Sequence, residues 1–170
     1  MNAHPGGAEH TRHMLETAAL PSGAKVLDMG AGAGETVALL QSLGFDATGI
    51  DLSPRADSVR QGDFLCTGFP ENLFDAIISQ CAFFVSGNAL QAFTEAHRLL
   101  KKDGLLLISD VFFEDPVRLL QETGFEPVYQ EDLTGQWREY YLEALWREDG
   151  CSCPVPAGKC TYRFIIGRKC

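Results

Sequence analysis

Short apolar runs alternate with segments of helical period along most of the chain. Lys25–Met29, Asp46–Asp51, Phe74–Gln80 and Leu105–Val111 are each apolar-rich and bounded by Gly, Pro, Asp or Ser. Runs of that kind predict strands buried on both faces. Between them, Glu35–Ser42 and Ala89–Lys101 read as helices, and Pro116–Thr123 ends at Gly124, a helix-stop signal. A helix is expected over Glu9–Ala19, a short strand near Val59–Gln61, a sixth strand at Glu126–Asp132 and a last strand at Cys160–Lys169. Leu133–Trp146 places Leu133, Trp137, Tyr140, Tyr141, Ala144 and Leu145 at mostly helical offsets. Ser53–Val59 is poorly patterned, with Pro54 as a first-helical-turn signal. Strand–helix alternation predicts an α/β fold: a doubly wound, mostly parallel sheet with helices on both faces and right-handed crossovers.

The turn after the first strand changes this picture from fold to chemistry. Asp28–Gly34 reads D-M-G-A-G-A-G, and Asp51 ends the next strand. Glycine there permits positive φ and close approach of a ligand. An acid on the second strand can accept hydrogen bonds from both hydroxyls of a ribose. The pair therefore predicts a ribose-bearing cofactor. Dinucleotide binders need G-x-G-x-x-G. Counting from Gly30 puts Glu35 in the third glycine's place, and counting from Gly32 puts Val37 there. Glu35 would also set a negative charge where pyrophosphate should sit.

The pattern resembles motif I of the class I S-adenosylmethionine (SAM) methyltransferases, and the ordered segments after it continue the resemblance. Gln61-Gly62-Asp63-Phe64 falls where that family places an acid for the adenine amino group and an apolar residue beside the ring. Phe74–Gln80, Asn88–Lys102 and Gly104–Val111 resemble its fourth strand, following helix and fifth strand. Pro5-Gly6-Gly7 resembles the leader of the small type 11 branch. The resemblance implies a seven-stranded Rossmann-like sheet in the order 3-2-1-4-5-7-6, with strand 7 antiparallel. It implies a SAM-dependent methyltransferase acting on a small-molecule or thiol-bound acceptor. It names Asp28, Gly30, Ala31, Gly32, Gly34, Asp51, Leu52, Asp63, Phe64 and Gln80 as the cofactor-binding set.

Size and charge narrow the partners. At 170 residues the chain is expected to be one domain, residues 1–170. A formal charge of −9 opposes nucleic acid and anionic membranes. Met1–His10 has no apolar targeting core, and no run approaches a membrane span, so a cytoplasmic protein is expected. Its six cysteines are then thiols. His10 and His13 share a helix face and are read as a solvated surface, with a lid over the site as the alternative.

Methyl transfer from an activated donor needs alignment and water exclusion more than a catalytic dyad. None is legible, and no catalytic residue is named. The substrate-side candidates are Cys81 after the fourth strand, Cys151 and Cys153 in a Cys-Ser-Cys-Pro loop, and Cys160 at the start of strand 7. An antiparallel strand 7 would bring residues 133–159, an inserted helix and Cys loop, over the substrate side. Three readings stay open: incidental thiols, a soft-metal site of non-standard spacing, or a thiophilic acceptor. Phe74–Phe84 with Arg98–Val111 has a weaker local resemblance to arsenite methyltransferases. No metal site is assigned. The aromatic residues of 133–146 either wall an acceptor pocket or dock their helix on the sheet. A non-catalytic SAM- or metal-binding accessory protein is the alternative function.

Overall fold

The computed structural model describes residues 4–146 and 159–170, with side chains of 144–146 left aside. Its sheet has seven strands: β1 Lys25–Met29, β2 Asp46–Asp51, β3 Val59–Gln61, β4 Phe74–Gln80, β5 Leu100–Phe112, β6 Phe125–Asp132 and β7 Thr161–Lys169. The order is β3-β2-β1-β4-β5-β7-β6, as the resemblance implies. Pairs from β3 through β5 are parallel. β7 runs antiparallel to both β5 and β6.

Among the described residues five helices cover the two faces: α1 Gly7–Ala18, α2 Glu35–Ser42, α3 Ala89–Leu99, α4 Pro116–Glu122 and α5 Thr134–Trp146. One face packs α3 and α4 against β-strand side chains through Ala92, Phe93, Leu99 and Leu120. The opposite face packs α1, α2 and α5 through Met14, Val37, Leu40 and Trp137. Local signals set the helix ends. Asn88 caps α3 by accepting from Gln91 N, and Asp115 caps α4 by accepting from Val117 N, with Pro116 following. In α3 the buried residues recur at three- and four-residue spacing, so one stripe faces the sheet.

Four local features differ from the sequence pattern. Residues 53–58 form bends and a turn with no helix, and Arg55 N instead donates to Gly32 O at 2.9 Å. A 3-10 turn, Phe84–Ser86, follows β4. β5 begins at Leu100 because its pairing with β4 slips once, between Phe74 and Ala76. The α1 histidines are partly exposed, and each is bonded across to the sheet. His10 Nε2 is 2.8 Å from Ser109 Oγ, and His13 Nε2 is 2.8 Å from Glu131 Oε2.

α5 settles what its buried aromatic residues do. Trp137 and Tyr141 are each 6% exposed, and the Trp137 ring stacks on Tyr162 at 6.0 Å with 5° between planes. They dock the helix on β7. Cys151 and Cys153 lie outside the described residues. Among the described residues no helix is long and apolar enough to cross a membrane.

Candidate functional site

The carboxyl ends of β1, β2 and β4 meet around a cavity of about 270 Å³. Parallel strands of an open sheet leave such a crevice where the winding reverses, here between β1 and β4. Its floor is the turn from β1 to α2. Gly30, Gly32 and Gly34 all take positive φ, at 91°, 51° and 77°. The turn is pinned to β2, since Gly30 N and Ala31 N both donate to Ile50 O. A Cβ on Gly30 would come within 2.3 Å of Ala82 Cβ, so this position needs glycine for space as well as for angle.

Two carboxylates face the cavity from adjacent strands. Asp51 Oδ2 accepts from Gly32 N, and Oδ1 accepts from Ser53 N, both at 2.9 Å. Each oxygen keeps a second lone pair for a ligand. Asp28 differs. It is 4% exposed, lines the same cavity and receives no hydrogen bond from the described residues. Burial, helped by the charge on Asp51, pushes its carboxyl up to about 7. A buried acid left without a donor marks a place prepared for a cation or a donor from a ligand.

β4 closes the opposite wall. Gln80 Oε1 accepts from Thr11 Oγ1 of α1 and Thr36 Oγ1 of α2, each at 3.2 Å. Cys81 follows at φ 54°, an uncommon conformation for a residue with a Cβ. Its Sγ lies 3.2 Å from Tyr162 Oη, which also donates to Ser109 O at 3.2 Å. Asp110, at the end of β5, braces the next turn by accepting from Phe84 N at 3.0 Å. Burial raises its carboxyl to about 6, although backbone N–H groups oppose that rise. Phe64 reaches the cavity from the segment after β3 and stacks on Phe83 at 5.4 Å.

Of the ten cofactor positions expected from sequence, eight stand on this wall: Asp28, Gly30, Ala31, Gly32, Asp51, Leu52, Phe64 and Gln80. Gly34 lies beneath it as the α2 cap. Asp63 is exposed and off the wall, its Oδ1 accepting from Leu65 N at 2.8 Å. The cavity also takes in Glu35, read from sequence only as an obstacle to pyrophosphate, together with Val85 and with His4, Thr36 and Arg55, which sequence reading passed over. For His4 the only signal was the leader-like Pro5-Gly6-Gly7 beside it.

The cysteines separate. Cys81 lines the cofactor-type cavity, while Cys160 lines another beside the end of β5 and the start of β7. Among the described residues no three His, Cys, Asp or Glu side chains cluster as a metal site. A further cavity of about 360 Å³ opens between α3 and α4, walled by Phe84, Val111, Phe112, Phe113 and Leu119.

Sheet order, glycine turn and paired strand-end acids together define a Rossmann-like methyltransferase fold. A family model for a methyltransferase domain matches residues 27–108. Those residues match the type 11 branch of the class I SAM-dependent methyltransferases. The chain is similar to the phosphoethanolamine N-methyltransferase of Plasmodium falciparum, with 25% identity over 79% of this chain and 65% of that protein. Its fold is similar to a Haemonchus contortus phosphoethanolamine N-methyltransferase solved with SAM, at TM-score 0.77 and 18% identity, covering 98% of this chain and 53% of that one. A geranyl diphosphate C-methyltransferase from Streptomyces coelicolor aligns at TM-score 0.74 and 14% identity, over 95% and 78% of the two chains. The chain spans between 36% and 65% of the lengths of the curated relatives it matches. The local resemblance to arsenite methyltransferases is not carried by these matches.

Proposed function

We propose that this chain binds SAM in the cavity at the ends of β1, β2 and β4 and transfers its methyl group to a small-molecule acceptor. The observation that carries the reading is Asp28, a buried carboxylate without a donor on the wall beside the glycine turn. It suits the ammonium of the cofactor's amino-acid end. Asp51 has lone pairs left for two ribose hydroxyls. Gly30 lets the turn pack on Ala82, Gly32 presents a backbone without Cβ beneath the Arg55 side chain, and Phe64 offers an apolar side to the adenine. Asp63, next to it, would turn its free oxygen to the adenine amino group. Leu52, 60% exposed, would be covered by the base.

When bound, SAM supplies a methyl carbon already activated by its sulfonium. The protein's residues then have to align and exclude water. Gln80 is fixed by Thr11 and Thr36, which holds α1 over the cavity. Asp110 fixes the 82–84 turn between this cavity and the 360 Å³ one. That second cavity is mostly apolar, and Glu114 and Asp115 stand at its rim. Among the described residues its one basic side chain, Arg118, is tied to Glu122 at 2.8 Å. The lining favours an acceptor with an apolar body and an amine over a phosphorylated one, unlike the substrates named for the phosphoethanolamine relatives. Residues 133–159 are proposed to border the acceptor side, since Leu133 N is anchored to Tyr162 O at 2.9 Å near the β7 rim.

Calorimetric titration with SAM, S-adenosylhomocysteine (SAH) and NAD tests the cofactor. Binding of the first two, and not of NAD, is expected; NAD binding without SAH binding would overturn the reading. Labelled methyl transfer to apolar amines, phosphoethanolamine, thiols and arsenite then separates an enzyme from a binding protein. Transfer to none of these classes, with SAM bound, would favour the accessory-protein alternative.

A further inference from the structure

His4 closes one end of the same cavity, ahead of α1, and is 8% exposed. Its Nδ1 lies 3.2 Å from Pro5 O and 3.2 Å from Gln80 Nε2. These contacts exclude each other. A carbonyl needs an N–H, and an amide N–H needs a lone pair. A neutral ring protonated on Nε2 accepts from Gln80. A doubly protonated ring donates to Pro5 O. The ring thus has a partner for Nδ1 in either charge state. Gln80 stays in place through both, because Thr11 and Thr36 hold its oxygen.

In both of these states, unlike the neutral ring protonated on Nδ1, the other nitrogen, Nε2, carries a hydrogen, and it has no partner among the described residues. Nor is it sealed, since Trp137 Nε1 is the only fully enclosed side-chain polar atom there without a partner. In those two states a free donor stands at the cavity wall. The charges around it are uneven. Asp28, Glu35 and Asp51 are acidic, and among the described residues the one permanent cation on the wall, Arg55, sits over Gly32. An amino-acid end brings an ammonium and a carboxylate together. Asp28 answers the first. At the α1 end, His4 is the group able to become positive for the second.

We propose that His4 holds the carboxylate of the cofactor's amino-acid end and takes up a proton when the cofactor binds; this rests on the SAM reading above. Burial holds the free ring below the usual histidine range, with Glu35 and the Pro5 carbonyl opposing. An anion against Nε2 would offset that burial. The groups facing the ring are Glu35 of α2, Asp28 of β1, His10 of α1, and Gln80 and Cys81 at the end of β4. His10 is held down at about 4 by burial and so stays uncharged near neutral pH. Asp28 titrates near 7, so its proton must be separated from that of His4.

Histidine side-chain nitrogen NMR at pH 7.5 makes that separation. The chain has four histidines, and His4→Gln identifies the signal of interest. SAH should convert that ring from neutral to imidazolium. 5′-Methylthioadenosine, which keeps the adenosine and lacks the amino-acid end, should leave it neutral. His4→Gln and His4→Ala should weaken SAH about tenfold, the scale of a charged hydrogen bond, and methylthioadenosine by less than about twofold. A ring that stays neutral with SAH bound overturns the proposal. Equal losses for both ligands also overturn it, since His4 would then only support the wall. If the wild-type protein binds no SAH at all, the SAM reading itself falls, and this inference with it.

Discussion

Replacing Asp28 with asparagine separates what the folded chain gains from what its ligand site needs. Asp28 is buried without a donor, and its carboxyl is raised from 3.8 to about 7. The folded state therefore holds this proton more tightly than the unfolded state does. Above pH 7 the buried charge destabilises the fold in full; the penalty shrinks as pH falls through 7 and vanishes below 3.8. A rise from 3.8 to about 7 corresponds to a ceiling of about 4 kcal/mol. An asparagine amide is also buried without full partners, which costs about 1–3 kcal/mol. Asp28→Asn should then stabilise the ligand-free protein by about 2 kcal/mol at pH 8.5 and destabilise it by about 1 kcal/mol at pH 4.5, where little of the charge penalty remains. Urea unfolding of both proteins at several pH values reads this directly. The difference between the two at each pH removes the contributions of Asp110 and the histidines. The same variant should bind SAH at least about tenfold more weakly, because the ammonium loses its charged partner. A wild-type-to-variant difference that does not change with pH would refute the buried-charge argument. A stabilised variant with unchanged SAH affinity would leave that argument standing and remove Asp28 from the ligand.

Asp51→Ala should weaken SAM by about 1.5–3 kcal/mol, the range for hydrogen bonds to a charged group; calorimetry on a variant with native circular dichroism checks it, and unchanged affinity would sink the ribose assignment. Gly30→Ala puts a Cβ 2.3 Å from Ala82 Cβ and should cost at least about 2 kcal/mol in urea unfolding. Gly23→Ala, also at positive φ but with nothing within 4 Å, is the control for backbone strain alone and should cost about 1 kcal/mol. His10 is held down to about 4 by burial, with His4 and His13 adding to it. The unfolded chain therefore binds this proton first, and stability should fall as pH drops from about 6.5 towards 4; His10→Asn should flatten that fall, and an unchanged acid limb would place its cause elsewhere.

The central strands were legible because each is a short apolar run closed by a turn residue, and β1, β2 and β4 begin and end where the pattern says. The glycine turn and Asp51 were legible for a related reason: backbone geometry and strand-end placement are local. What escaped was long-range. His10 bonds Ser109 across 99 positions, and Gln80 gathers Thr11, Thr36 and His4 from elements far apart in sequence. No spacing rule joins such residues before the sheet does. The bends at 53–58 escaped because Pro54 is as compatible with a turn as with a first helical residue. The order of strands 5, 7 and 6 came from family resemblance, since no pattern in the apolar runs distinguishes inserting β7 from adding it at the edge.

That insertion sets a timetable for making the protein. Strands β1 to β4 can find all their neighbours as soon as β5 leaves the ribosome. The outer edge of β5 and the whole of β6 must wait until α4, β6 and α5 have been made and β7 follows. During that interval Leu106, Leu107 and Ile108 lie along an unpaired edge, a template for strands of other nascent chains. Pairings across such sequence separation form slowly. Substitutions in β7 that delay its docking should therefore lower the yield of soluble protein, with cofactor affinity intact in the molecules that do fold.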